Sequence, residues 1–155
     1  MTPSPWLAYF VTMAGIFGLL IGSFLNVVIY RVPAGKSLLP SSHCPGCDTA
    51  IKPWQNVPVL SWIALRGRCA SCKTRISVRY PLVELGTGIA FASIAWWWLV
   101  SGATSDHGQV AFVLQLVALL YLAAASIALS LIDLDTLRLP NSILLPSLVV
   151  FALLL

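Results

Sequence analysis

The chain has 155 residues, of which 59% are hydrophobic and only 9% charged, with a mean hydropathy of +0.91. Soluble domains carry about 25% charged residues, so this composition excludes a soluble globular protein and points to a lipid bilayer. The net charge of +4 could suit nucleic acid or acidic lipid, but it is concentrated in one loop, where membrane topogenesis explains it without any nucleic-acid partner.

The first apolar run, Trp6–Tyr30, is long enough to cross a hydrocarbon core of ~30 Å at ~1.5 Å per residue. No Lys or Arg precedes it and nothing like an A-x-A site follows, so it reads as a retained helix rather than a cleaved signal peptide. Gly15, Gly18 and Gly22 mark a thin stripe on which a second helix can pack, Gly18 and Gly22 forming a small-xxx-small pair. Ser23 and Asn26 follow near its end. They suit interhelical hydrogen bonds, and Asn26 alternatively lines a cytoplasm-facing site.

Residues 31–80 hold eight of the nine basic residues (Arg31, Lys36, Lys52, Arg66, Arg68, Lys73, Arg75 and Arg79), and the ninth is Arg138. The connection SGATSDHGQ at 101–109 has none. Positive-inside asymmetry therefore places the 31–80 loop and Arg138 in the cytoplasm, with the N-terminus and residues 101–109 outside. All four cysteines fall in this loop as CPGC (44–47) and CASC (69–72), a C-x2-C-x21-C-x2-C pattern. Two residues between thiolates let both sulfurs of a turn reach one tetrahedral ion, and Gly46 is expected to supply a conformation that a larger residue resists. Paired disulfides are the alternative. A cytoplasmic loop keeps thiols reduced, which favours zinc on Cys44, Cys47, Cys69 and Cys72. With four thiolates supplied, His43 reads as a polar loop residue rather than a ligand. A loop of about fifty residues buries little core, and bound metal would replace the missing apolar burial. Short β-hairpins turning at the cysteine pairs are expected, with Trp54 and Trp62 covering the site or resting on the bilayer interface.

The second span, Pro81–Val100, carries Glu84 as its one charge, and WWW at 96–98 reads as an interfacial belt. An intramembrane carboxylate is a functional candidate by default, and pairing with Arg79 or another loop cation is the alternative. The third span, Val110–Ile132, is uncharged and runs into Asp133 and Asp135. Residues two apart on a helix point about 200° from one another, so these carboxylates cannot share a proton if the turn is helical. One of them could be half of an aspartyl dyad whose partner comes from elsewhere; Asp48 is pinned in the cysteine turn, Asp106 lies outside, and Glu84 is no obvious partner. A divalent-cation DxD of a transferase and simple punctuation of a helix end are the other readings. Pro140 then stops the segment, with Asn141 or Ser142 expected as the next N-cap. The run from Asn141 to Leu155 is short for a span, so the chain is expected to be part of a longer one that stops in mid-helix.

The motifs GSFLNVVIYRVP (22–33), CPGC (44–47), NVPVLSW (56–62), CASC (69–72), ISVRYPLVE (76–84) and LIDLDTLRLPN (131–141) occur in that order. Together they resemble the bacterial type IV prepilin peptidases, the bifunctional leader peptidase/N-methyltransferases of pilus and type II secretion systems. The resemblance implies an all-α polytopic inner-membrane aspartic protease. It would have three transmembrane helices and the start of a fourth, with a zinc-ribbon-like cytoplasmic domain between the first two. The corresponding divisions are residues 1–30, 31–80 and 81–155. It further implies cleavage of prepilin or pseudopilin leaders at the cytoplasmic face, followed by methylation of the new N-terminus with S-adenosylmethionine. The first catalytic aspartate of the family maps to Asp133, with Asp135 as second choice. The family's second aspartate lies in a GxGD motif that these residues do not contain, so a missing C-terminal half or a second chain would complete the dyad. The competing reading is a non-catalytic zinc-loop membrane module acting in pilus or secretion assembly.

Overall fold

The computed structural model describes residues 4–39, 42–101, 108–137 and 140–154. Asp106 and Arg138, invoked above for topology, lie outside the described residues. Among the described residues, five α-helices and one 3-10 turn follow in order: α1 Pro5–Arg31, the 3-10 turn Pro53–Asn56, α2 Leu60–Ala64, α3 Arg79–Val100, α4 Gly108–Thr136 and α5 Asn141–Leu154. Three of them, α1, α3 and α4, are long and apolar enough to cross a membrane. No β-strand forms among the described residues, whose regular elements are all helices.

α1 and α3 form the tightest pair, running antiparallel along the glycine stripe. A Cβ on Gly18 would stand 2.8 Å from both the Phe91 Cβ and the Thr87 carbonyl, and one on Gly22 would stand 2.7 Å from the Glu84 Cα. Backbones this close leave no room for a side chain, which is the use small residues have in lipid. Opposite them, Phe91 and Thr87 are buried. Asn26 closes the loop end of the pair by donating its Nδ2–H to the Tyr80 carbonyl at 3.1 Å, an interhelical bond as the first of its two readings has it.

α4 lies across both helices at that same end. Leu25 and Ile29 of α1, Val83 of α3, and Ala128 and Ile132 of α4 make one buried apolar cluster, against which Ile143 of α5 packs. α5 returns along α4, and the Tyr121 hydroxyl donates to Ser147 Oγ at 3.1 Å between them. The Pro140 carbonyl accepts from the N–H groups of Ile143 and Leu144, so Pro140 itself holds the cap position expected of Asn141 or Ser142. At the far end Trp96 and Trp97 are exposed as an interfacial belt requires. Trp98 departs from it, turning inward to stack on Phe112 with ring centroids 5.5 Å apart.

The glycine contacts set a clear expectation. Gly22→Ala should destabilise the protein by about 1–3 kcal/mol through overpacking, read as a lowered unfolding temperature in detergent. Gly86→Ala, where an added Cβ meets nothing within 4 Å, should be neutral or stabilising by up to about 1 kcal/mol.

Candidate functional site

The loop between α1 and α3 is built from two copies of one local structure. CPGCDT (44–49) and CASCKT (69–74) share the pattern C-x2-C-x-T. In each, the first cysteine's N–H donates to the threonine carbonyl, at 3.0 Å for Cys44 to Thr49 and 2.9 Å for Cys69 to Thr74. In each, the residue after the second cysteine donates its N–H back to the first cysteine's carbonyl and adopts a positive φ, 52° at Asp48 and 61° at Lys73. In each, the threonine hydroxyl lies 3.2 Å from the second sulfur, Thr49 on Cys47 and Thr74 on Cys72. A single antiparallel bridge closes each copy, His43 with Ala50 and Arg68 with Arg75, in place of the expected hairpins.

The two copies face one another. Gly46 permits this by close approach: a Cβ there would stand 2.7 Å from Thr74 Oγ1, while the positive φ values belong to Asp48 and Lys73. That corrects the conformational role expected of Gly46. The four sulfurs lie within 4.8 Å of one another, and the Cys44 and Cys72 sulfurs are 3.7 Å apart. A tetrahedral zinc with bonds of ~2.3 Å separates its sulfurs by ~3.8 Å, so the donor set and its size both fit the ion. None of the four is in a disulfide. The Thr74 hydroxyl and N–H hold the Cys72 thiol down to about 6. Hydrogen bonds from the Cys72 and Ser71 N–H groups likewise lower Cys69. The Gly46 N–H pulls the Cys44 thiol down, but burial and the neighbouring thiols outweigh it and push it up to about 11. The repeated threonine was legible as a twofold C-x2-C-x-T, a signal that the cysteine spacing alone does not capture.

Trp62 belongs to this lobe. Its indole N–H donates to the Ile76 carbonyl at 3.2 Å, and its ring lies so close to Gly67, at φ +65°, that a Cβ there would meet it at 2.8 Å. Trp54 does not cover the site; it is 67% exposed, with the Lys52 ammonium 5.2 Å from its ring centroid.

Glu84 reaches the same loop from the membrane helix. It is 8% exposed, and Oε2 accepts the Val59 N–H at 2.7 Å. Of its two readings, pairing with Arg79 does not occur. Val59 carries φ 60° and ψ −49°, and the Leu60 N–H bonds back to the Pro58 carbonyl around it. That is a strained γ-turn, costly for a β-branched residue, and it persists here with a buried carboxylate on its N–H.

Arg79 turns instead to α4. Its Nη1 lies 2.7 Å from Asp135 Oδ1, and its Nη2 donates to the Leu131 carbonyl at 3.4 Å. Leu131 and Asp135 are one turn apart and share a helix face. α4 remains helical through Thr136, beyond the expected end at Ile132. Asp133 therefore points about 200° from Asp135, as the sequence reading required. Asp133 is exposed, and its carboxylate has no hydrogen-bond or ion-pair partner among the described residues. Beside Arg79, a groove of about 660 Å³ opens between α3 and α4, lined by Leu82, Gly86, Thr87, Ser126 and Ser130 among others.

Residues 16–98 match the family described as the bacterial peptidase A24 N-terminal domain. The chain is 43% identical to the prepilin leader peptidase/N-methyltransferase of Pseudomonas putida, across 91% of this chain and 53% of that protein. Proteins of the same name from Stutzerimonas stutzeri and Neisseria gonorrhoeae are each 40% identical, across 94% and 88% of this chain and 56% and 52% of their own lengths. The chain thus spans about half the length of these curated relatives. No solved structure matches it.

If the four thiolates hold zinc, the Cys44→Ser, Cys69→Ser double variant should lose the metal and expose the 42–76 loop to protease. Metal analysis of purified protein reads the first effect and limited proteolysis the second; zinc content equal to wild type would contradict the assignment.

Proposed function

Because the chain belongs to the bacterial peptidase A24 N-terminal domain family, we propose that it provides the zinc lobe and first catalytic aspartate of a prepilin leader peptidase/N-methyltransferase. In this reading the enzyme sits in the bacterial inner membrane. The 31–80 loop and the rim carrying Asp133 and Asp135 face the cytoplasm, where a leader peptide is cut from its apolar segment. The small side chains along the groove between α3 and α4 leave room for that segment.

The observation that carries the proposal is the unequal state of the two aspartates. Asp135 is committed to Arg79 at 2.7 Å, whereas Asp133 has no partner among the described residues. An aspartyl mechanism needs two carboxylates about 3 Å apart sharing one proton, so that the ionised one takes a proton from water as the water attacks the scissile carbonyl. A carboxylate already neutralised by a guanidinium is a poor base. Asp133 is therefore the catalytic residue, meeting a second carboxylate from a further segment, and Asp135 orients the end of α4 through Arg79.

Zinc on Cys44, Cys47, Cys69 and Cys72 would hold the loop's two halves together, supplying folding energy with no open coordination position for chemistry. Methyl transfer from S-adenosylmethionine to the new N-terminal amine is the second activity of this reading. It rests on the relatives' name.

In the intact enzyme, Asp133→Asn should lower prepilin cleavage by at least about 10²-fold, the scale of a lost acid–base group. Asp135→Asn should retain cleavage while lowering the unfolding temperature. Normal cleavage by Asp133→Asn, measured by the mobility shift of processed pilin, would sink the assignment.

A further inference from the structure

The two loop tryptophans have separate fates: Trp62 packs on Gly67 and bonds the Ile76 carbonyl, whereas Trp54 stays largely exposed. Trp54 is 67% exposed, and α2 beside it presents Leu60 and Ile63, 66% and 59% exposed and one helical turn apart on the same face. A short segment showing three large apolar side chains to water is anomalous in a lobe with so little core.

Its depth is set by the Glu84 tether. Glu84 lies ~7.5 Å of helix rise beyond Arg79 into α3. The Val59 N–H bonded to it at 2.7 Å brings the start of α2 to that level, and Leu60 follows at once in the chain. Interfacial helices bury their apolar face about 5–10 Å into the boundary between headgroups and acyl chains, the same depth. The loop that carries the segment is predominantly basic. Residues 31–80 carry eight Lys and Arg against the single acid Asp48, and the Lys52 ammonium sits over the Trp54 ring. An aromatic body with a cation beside it suits the headgroup layer.

We infer that the segment from Trp54 to Ile63 is an interfacial anchor: Trp54, Leu60 and Ile63 dip into an acidic phospholipid surface, at a level set by the Glu84–Val59 hydrogen bond, and seat the cysteine lobe on the membrane. The anchor requires only that α3 spans the bilayer and is independent of the peptidase chemistry. The lipid surface is the occupant because α3 carries the segment to the bilayer rim and the surrounding charge is basic.

The test uses the whole chain in nanodiscs of phosphatidylglycerol brominated on its acyl chains, with the fluorescence of wild type compared with that of Trp54→Phe, a conservative change at an exposed site. The difference isolates Trp54 from the other five tryptophans. Brominated phosphatidylglycerol should reduce the Trp54 emission by about twofold or more, while aqueous iodide should leave it nearly unchanged. Brominated phosphatidylcholine should quench it less. Glu84→Ala should restore iodide access and Glu84→Gln, which keeps an acceptor oxygen, should not. Quenching by iodide and not by bromine would place Trp54 in water and overturn the proposal. Shielding that disappears as protein is diluted in lipid would assign the face to a second copy and overturn it too. Equal quenching by the two brominated lipids would overturn the acidic specificity.

Discussion

The close approach of α1 and α3 is the constraint on which the rest of the loop end depends. With Gly18 and Gly22 against Phe91, Thr87 and Glu84, the two backbones nearly touch. A carboxylate placed at that crossing is shut away from water, and it must find a donor or be expelled. Glu84 finds the Val59 N–H, and in doing so carries the strained NVPVLSW turn and the start of α2 to the helix pair. The cysteine lobe follows through Trp62, which lies on Gly67 just before the second cysteine pair. One packing contact thus sets where the loop sits as well as how the helices cross.

The same crossing fixes the first turn of α3, and with it Arg79. A cation at a helix N-terminus and an aspartate at a helix C-terminus are each unfavourable to their own helix dipoles. Set side by side, Arg79 and Asp135 offset one another, and the guanidinium also satisfies the Leu131 carbonyl near the end of α4. At 42% and 40% side-chain exposure the pair contributes only about 0–1 kcal/mol to stability. Its larger consequence is orientation. By holding one face of α4 to α3, it leaves the opposite face of the last turn, with Asp133, clear of the helix pair.

Much of this is legible in the amino-acid sequence. Hydropathy gave the three spanning helices to within a few residues, because length and charge exclusion leave few alternatives in lipid. The Gly18–Gly22 pair forecast a close crossing, and the paired Cys-x2-Cys forecast the four-sulfur cluster, since both depend on local spacing. The opposed directions of Asp133 and Asp135 followed from helical pitch alone. What stayed hidden depended on partners distant in sequence. The sequence suggested Glu84 as an acid for Arg79, and only the packing of α3 on α4 turns the guanidinium to Asp135 instead. The γ-turn at Val59 was illegible because no propensity rule places a β-branched residue at positive φ; tertiary hydrogen bonding overrides the local preference. The separate fates of Trp54 and Trp62 likewise turn on which indole meets Gly67.

The division of labour between the two aspartates is the central claim, and a charge swap across the α3–α4 contact tests it most directly. In the intact enzyme, Arg79→Asp and Asp135→Arg should each impair folding and prepilin cleavage, and the double variant should recover both, since the pair is restored with its ends exchanged. Recovery of cleavage is possible only if Asp135 takes no part in the chemistry. A double variant that regains its unfolding temperature but cleaves no prepilin would contradict the account and move the catalytic role to Asp135.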